Sequence, residues 1–327
     1  MNTKKKLLLP ATMARAGWDV IARRDDVEAI AYEYSLPTPE FHASLRDVHG
    51  VALGLTPFGE AELQAAPNLQ VVARHGVGYD SVDVAALTRR NVPLMVTGVA
   101  NSPSVAEEAL FFMLALAKRG APMHTMVRDG RWAERLSELP VDLFGKTLLV
   151  IGFGRVGTRV ARVCLALGMT VLVYDPYVKP DAIAAAGCTP VTGLDAALPR
   201  ADFVTIHCPK TEETRGMFDA ARLARMKRTA YLVNTARGGI IDEAALHAAL
   251  SSGALAGAGL DVFDREPPPS DNPLLGLPNI ILAPHMAGVT KESFDRMAVA
   301  VATNLLEMLD GKPNLDHVVN KEVLIHR

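Results

Sequence analysis

The chain is poor in the residues that mark several protein classes. It has three cysteines in 327 residues (Cys164, Cys188 and Cys208), an odd and widely spaced set. That spacing offers neither a disulfide framework nor zinc ligands, so no metal is expected and a reducing cytoplasm is the expected compartment. No charge sign dominates, since 34 Lys and Arg face 36 Asp and Glu for a formal net charge of −2. A nucleic-acid binder carries a basic excess or stripe, and none is visible here. The longest apolar run falls within Ala109–Ala117, well short of the roughly 18 residues of a membrane span. Near the start, Leu7–Leu9 is too short for a secretory core and Pro10, Arg15 and Asp19 interrupt it. What is present is apolar mass: 49% hydrophobic against 21% charged residues, which suits a large buried core rather than a disordered chain. The length predicts two or three domains.

From residue 145 to 290, short apolar runs alternate with helical patterns. The expected strands are Thr147–Ile151, Thr170–Tyr174, Phe203–His207, Ala230–Asn234, Ala258–Phe263 and Ile280–Ala283. They are rich in Val, Leu and Ile without polar alternation, as in parallel strands buried on both faces. Arg155–Leu167, Pro180–Ala186 and Glu243–Ser251 read as helices between them. The first hundred residues repeat the theme with strands at Lys6–Leu9, Ala29–Tyr32, Val51–Leu55, Val71–Arg74 and Leu94–Val96. Ser102–Arg119 reads as a helix connecting the two halves, and Lys291–Asp310 as a second long helix ending at Gly311 and Pro313. That last helix is expected to return to the first half. The predicted architecture is therefore α/β, with two Rossmann-like, doubly wound parallel-sheet domains separated by an active-site cleft. One domain is discontinuous (1–100 with 290–327) and the other spans 101–289.

After the strand ending at Ile151 comes Gly152-Phe153-Gly154-Arg155-Val156-Gly157, a G-x-G-x-x-G that opens a helix. The first glycine allows a tight turn, the second lets backbone approach a pyrophosphate, and the third lets helix pack on strand. The N–H groups around Arg155 and Val156, at the helix start, form an anion site. A second strand ends at Asp175, 18 positions after Gly157 (175 − 157). There a carboxylate would hold a ribose diol and repel a 2′-phosphate, so NAD is favoured over NADP. Two other glycine clusters fail this context. Gly145-Lys146-Thr147 lacks the first P-loop glycine because Pro140 stands there, and Gly76-Val77-Gly78 has Ser81 in place of a third glycine.

Three further segments place polar residues just past strands: Asn234–Gly239, Asp261–Pro267 and Ala283–Gly288. An Arg, a Glu and a His would converge at the C-terminal sheet edge, where α/β enzymes gather ligand-binding groups. With these motifs in order, the chain resembles the D-isomer-specific 2-hydroxyacid dehydrogenases, from about Gly50 to Gly311. The resemblance rests on Gly76-Val77-Gly78-Tyr79-Asp80, Ser104-Val105-Ala106-Glu107, the glycine loop, Asn234–Asp242, Asp261 through Pro267, and the His285 loop.

The resemblance implies an NAD-dependent oxidoreductase interconverting a D-2-hydroxyacid and its 2-ketoacid, of the phosphoglycerate, hydroxypyruvate or glyoxylate type. Arg237 would bind the substrate carboxylate with a planar fork that Lys does not reproduce. His285 would be the general acid/base, and Glu266 would orient it and favour its charged form. Backbone N–H groups at Val77 and Gly78 would also take the carboxylate. Asp261 would contact the nicotinamide carboxamide, while Cys208, Pro209, Thr235, Ala236 and Gly288 would line the cofactor. Trp132 resembles part of the family's dimer arm, with a core anchor as the rival reading, and a homodimer is implied. Asp264 and Arg265 read as surface charges, and Met286 as a packing residue. Met286 and His75 depart from the family pattern. His75, with Arg74, is expected to contact an anionic or bulky substrate tail. An additional regulatory domain of the kind many long phosphoglycerate dehydrogenases carry is not expected, nor is feedback through one. The rival from another class is an NAD(H)-sensing binding protein similar to the C-terminal binding protein corepressors, which keep similar reactive residues. Formate dehydrogenases on this scaffold usually pair the histidine with Gln, so Glu266 argues against that activity.

Overall fold

A computed structural model describes residues 4–54 and 56–325. Leu55, expected to end a strand, lies outside them. The chain divides into two compact units, Met1–Asn101 with Val289–Arg327, and Ser102–Gly288. In the first unit β1 (Lys5–Pro10), β2 (Val27–Tyr32), β3 (Gly50–Leu53), β4 (Val71–Arg74) and β5 (Leu94–Met95) form a parallel sheet in the order β2-β1-β3-β4-β5. Neighbouring residues of β1 supply opposite faces: Leu8 packs with Val51, Leu53 and Phe41, while Leu7 and Leu9 pack with Ala298, Val301 and Leu305 of the helix Lys291–Leu309. Burial on both faces is why Leu7–Leu9, β3 and most of β4 read as unbroken apolar runs, whereas the edge strand β2 is largely exposed. The Thr290 side chain caps that helix by accepting from Ser293 N–H at 3.1 Å.

The second unit holds β6 (Thr147–Ile151), β7 (Thr170–Tyr174), β8 (Thr189–Pro190), β9 (Phe203–Ile206), β10 (Tyr231–Asn234), β11 (Gly257–Leu260) and β12 (Ile280–Leu282). Their order is β12-β11-β10-β9-β6-β7-β8, all parallel. Leu149 and Ile151 enter one core, Leu148 and Val150 the other. Strand order reverses beside β6, and ligands of open α/β sheets bind at the carboxyl ends of strands at such a point. β8 has no apolar signature in the sequence, and its Pro190 is tolerated because the strand lies at the sheet edge.

The expected helix Ser102–Arg119 ends at Ala117, and a separate helix, Gly120–Arg128, follows. Arg119 makes the break, in a left-handed conformation (φ 51°) that Gly120 was better suited to adopt. The Arg119 guanidinium donates to the Glu138 carbonyl at 2.6 Å and to its carboxylate, which offsets the backbone cost. Among the described residues, no helix is long and apolar enough to cross a membrane.

Candidate active site

All the expected site residues of the second unit leave the carboxyl ends of its strands. The glycine loop follows β6 directly, and the helix Gly157–Ala166 begins at its third glycine. Two of the glycines are dictated by the protein itself. A Cβ on Gly152 would lie 2.7 Å from the Cys208 nitrogen, and one on Gly157 would lie 2.0 Å from the Gly152 carbonyl oxygen. Gly154 is different: a Cβ there meets no atom within 4 Å, and the residue is exposed. Asp175, one residue past β7, accepts from Phe153 N–H at 2.7 Å and Tyr177 N–H at 2.9 Å, which ties the glycine loop to the next strand. Cys208 and Pro209 follow β9. The Cys208 thiol is half-buried, and burial pushes its pKa up to about 11, so it is a neutral neighbour rather than a nucleophile.

The Arg, Glu and His segments are held together by backbone. Register aligns Asn234, Leu260 and Leu282 across β10, β11 and β12, so the three following loops start from one level. Asn234 braces the first turn. Its Oδ1 accepts from Ala236 N–H and its Nδ2 donates to the Arg237 carbonyl, each at 2.9 Å. Gly238 then presses this loop against the next, because a Cβ there would sit 1.8 Å from the Phe263 oxygen. Glu266 is clamped at both oxygens: Oε1 accepts from Phe263 N–H at 3.0 Å, and Oε2 receives His285 Nδ1–H at 2.6 Å. Arg237 is half-buried and donates to the Ala236 carbonyl at 2.6 Å.

His285 is the strained member of this group, with φ 57° in a region that costs a non-glycine residue about 1–3 kcal/mol. Asp261 maintains it. The His285 N–H donates to the Asp261 carbonyl at 2.8 Å, and the buried Asp261 carboxylate accepts from Met286 N–H at 2.7 Å and Ala287 N–H at 2.9 Å. Burial pushes the Asp261 carboxyl pKa up, opposed by those two N–H groups and by His285. Asp261, expected from the resemblance at the carboxamide, is thus also the brace of the histidine turn.

Several side chains depart from the sequence reading. Asp264 is no idle surface charge: it accepts from Gly239 N–H at 2.6 Å, and its own N–H donates to Glu243 at 2.6 Å. Met286 is no core packing residue, since about half of its surface (47%) is exposed. Trp132 is 62% exposed under the Arg135 guanidinium, not a core anchor. The bracing role of Asn234 was missed as well. The signal was an amide at a strand end two residues before a turn, the position of an Asx motif. For Asp264 no local pattern gave warning, because its partner Gly239 is 25 residues away.

In the first unit the loop after β4 carries His75, Val77 and Gly78. Among the described residues, the N–H groups of Val77 and Gly78 have no protein acceptor. His75 lies edge-on to Phe294 at 4.9 Å between ring centroids, and its Nε2 is buried with no partner. Burial, then the neighbouring Arg74 charge, pull its pKa down to about 4. His75 is therefore a neutral imidazole, not the cation an anionic tail would call for. Arg74 turns inward to the carbonyls of His75 at 2.6 Å and Leu53 at 3.3 Å.

The D-isomer specific 2-hydroxyacid dehydrogenase NAD-binding domain model matches residues 110–287. The chain belongs to this family. A glyoxylate reductase of Korarchaeum cryptofilum is 42% identical over 84% of this chain and 83% of its own. A D-3-phosphoglycerate dehydrogenase of Archaeoglobus fulgidus is 41% identical over 77% of this chain, which spans about half (47%) of that relative's length. A D-lactate dehydrogenase from Aquifex aeolicus, solved with NAD and lactic acid, superposes with a TM-score of 0.82 at 27% identity, over 94% of this chain and 96% of that one.

Membership places the chain among the NAD-dependent 2-hydroxyacid oxidoreductases, and residues 110–287 are the cofactor domain of such an enzyme. The residues present fit the dinucleotide. Gly154 is a glycine that no internal contact demands, in an exposed loop at a helix start where a pyrophosphate is held by backbone N–H groups. The named relatives are enzymes, which does not favour the NAD-sensing corepressor reading.

Proposed function

We propose that Arg237, Glu266 and His285 carry the chemistry of a dehydrogenase that interconverts a D-2-hydroxyacid and its 2-ketoacid, with glyoxylate, hydroxypyruvate or 3-phosphoglycerate as the substrate type. The observation that carries this reading is the His285–Glu266 hydrogen bond of 2.6 Å, with the other Glu266 oxygen anchored on Phe263 N–H. Because Nδ1 is committed to the carboxylate, Nε2 is the nitrogen that exchanges a proton with the substrate oxygen. In the reduction direction, protonated His285 donates to the keto oxygen while Glu266 stabilises the imidazolium. In oxidation the neutral ring takes the hydroxyl proton. Arg237 holds the substrate carboxylate and polarises the reacting oxygen, a role that its backbone-braced turn supports. Bound NAD supplies the hydride acceptor or donor. Asp175 takes the adenosine ribose, and the loop of Val77 and Gly78 contributes N–H donors to the carboxylate. The neutral His75 offers one polar contact to the substrate tail.

The same reading includes cytoplasmic residence, consistent with free Cys164, Cys188 and Cys208. It also includes a homodimer, supported by the exposed Trp132, Leu136, Leu139 and Phe144, an apolar concentration of the kind that marks interaction sites. Sedimentation equilibrium tests the dimer. The activity is tested with a panel of 2-ketoacids and NADH. The wild-type protein is expected to turn over repeatedly, and His285→Ala to bind NADH yet lose at least about two orders of magnitude in kcat. Absence of turnover across the panel, or undiminished turnover by His285→Ala, refutes the assignment.

A further inference from the structure

Tyr177 is fixed at both ends beside the loop that carries Asp175. Its N–H donates to Asp175 Oδ1 at 2.9 Å, and its hydroxyl donates to Glu213 Oε2 at 2.5 Å, although the side chain is otherwise exposed. Tyr177 belongs to the loop after β7 and Glu213 to the loop after β9. Those strands flank β6 on either side, so the Tyr177–Glu213 bond spans the level of the glycine loop. The Glu213 loop is itself built rigidly. Thr214 Oγ1 donates to the Pro209 carbonyl at 2.7 Å and accepts from Thr211 N–H at 2.8 Å. Its nearest cation in sequence, Arg215, pairs with Glu212 at 3.6 Å.

We propose that Glu213, held in place by Tyr177, is a second determinant of NAD over NADP, setting a negative charge on the β9 side of the ribose while Asp175 sets one on the β7 side. The inference rests on the proposed placement of the adenosine ribose at Asp175. A 2′-phosphate brings about −1.5 to −2 charge, and a carboxylate within a Debye length of it raises the free energy of NADPH binding without touching NADH. Free in solution, an exposed glutamate would swing away from such a phosphate. The hydrogen bond from Tyr177 removes that escape. The phenol feels both acids: Glu213 first, then burial and Asp175, raise its pKa, which agrees with two carboxylates converging on one loop.

The test is direct titration of NADH and NADPH, by fluorescence or calorimetry at low ionic strength, against wild type, Glu213→Gln, Tyr177→Phe and Asp175→Ala. Glu213→Gln keeps an acceptor for the Tyr177 hydroxyl and removes only the charge. It is expected to narrow the NADPH/NADH ratio of Kd values about fivefold, the size that Coulomb's law in water gives for a doubly charged phosphate one tyrosine length away. Tyr177→Phe leaves the charge but releases it, and is expected to narrow the ratio by a smaller factor. Added salt should shrink both effects. A ratio unchanged in Glu213→Gln, while Asp175→Ala shifts it, overturns the role of Glu213 alone. A ratio unchanged in Asp175→Ala as well overturns the ribose placement and this inference with it.

Discussion

Substituting Gly154 by alanine separates what the glycine loop does for the fold from what it does for the cofactor. A methyl at Gly154 meets no protein atom within 4 Å, and its φ lies outside the left-handed region. Alanine should therefore fit without strain, and the smaller conformational entropy of the unfolded chain adds about 0.4–1 kcal/mol of stability. If the loop N–H groups hold a pyrophosphate, the same methyl stands where the phosphate oxygens approach. Losing one hydrogen bond to a charged group costs about 1.5–3 kcal/mol, so NADH affinity should fall roughly 10- to 150-fold. Gly157→Ala is the contrasting variant, because its methyl would lie 2.0 Å from the Gly152 carbonyl oxygen. Overpacking of that kind costs about 1–3 kcal/mol or more. Thermal melts and NADH fluorescence titrations of both variants decide the matter. The expected result is a Gly154→Ala protein that melts no lower than wild type and binds poorly, beside a Gly157→Ala protein that melts early. Wild-type NADH affinity in Gly154→Ala, or a large loss of its stability, would refute the reasoning.

Two other perturbations follow from the geometry. Glu266→Gln keeps an oxygen to hydrogen-bond but deletes the charge that faces the imidazole at 2.6 Å, and losing a charged hydrogen-bond partner costs about 1.5–3 kcal/mol, so kcat for ketoacid reduction should fall roughly tenfold or more while NADH binding is kept; an unchanged kcat counts against the role of Glu266. His75 contributes to acid lability, because its pKa is lowered from 6.5 to about 4 in the fold. Since the folded value is the lower one, the neutral form is preferred on folding, and the stabilisation is complete above 6.5 and lost as pH falls through about 4. The span is about 3 kcal/mol at 1.36 kcal/mol per pKa unit. Urea unfolding between those limits should show a shallower pH dependence for His75→Gln than for wild type, and parallel curves would dismiss the effect.

Much of the fold was legible in the chain because parallel strands buried on both faces leave uninterrupted apolar runs. Thr147–Ile151, Thr170–Tyr174 and Val71–Arg74 end where their hydrophobic patterns end. The two-residue β8 was invisible, since an edge strand with a proline buries too little to leave a pattern. Arg119 misled for a different reason: the preference of glycine for a left-handed turn is local, whereas the contacts that hold Arg119 there come from Glu138.

At the candidate site, residue identity and order along the chain were enough to single out the glycine loop, Asp175, Arg237, Glu266 and His285. Those residues sit one loop beyond a strand, where sequence periodicity stops abruptly and chemistry-bearing side chains stand out. How they are held was a matter of tertiary structure alone. Asp261 bracing the histidine turn, Gly238 pressed on Phe263, Asp264 reaching Gly239 and Tyr177 reaching Glu213 are pairings across 24 to 36 residues. Such partners share no periodicity with one another, because they are brought together only when neighbouring strands align at one edge of the sheet. Likewise, the charge of His75 was undetermined by its identity. Titration depends on surrounding dielectric, and packing beside Phe294 and Arg74 keeps that imidazole neutral well below its ordinary value of 6.5.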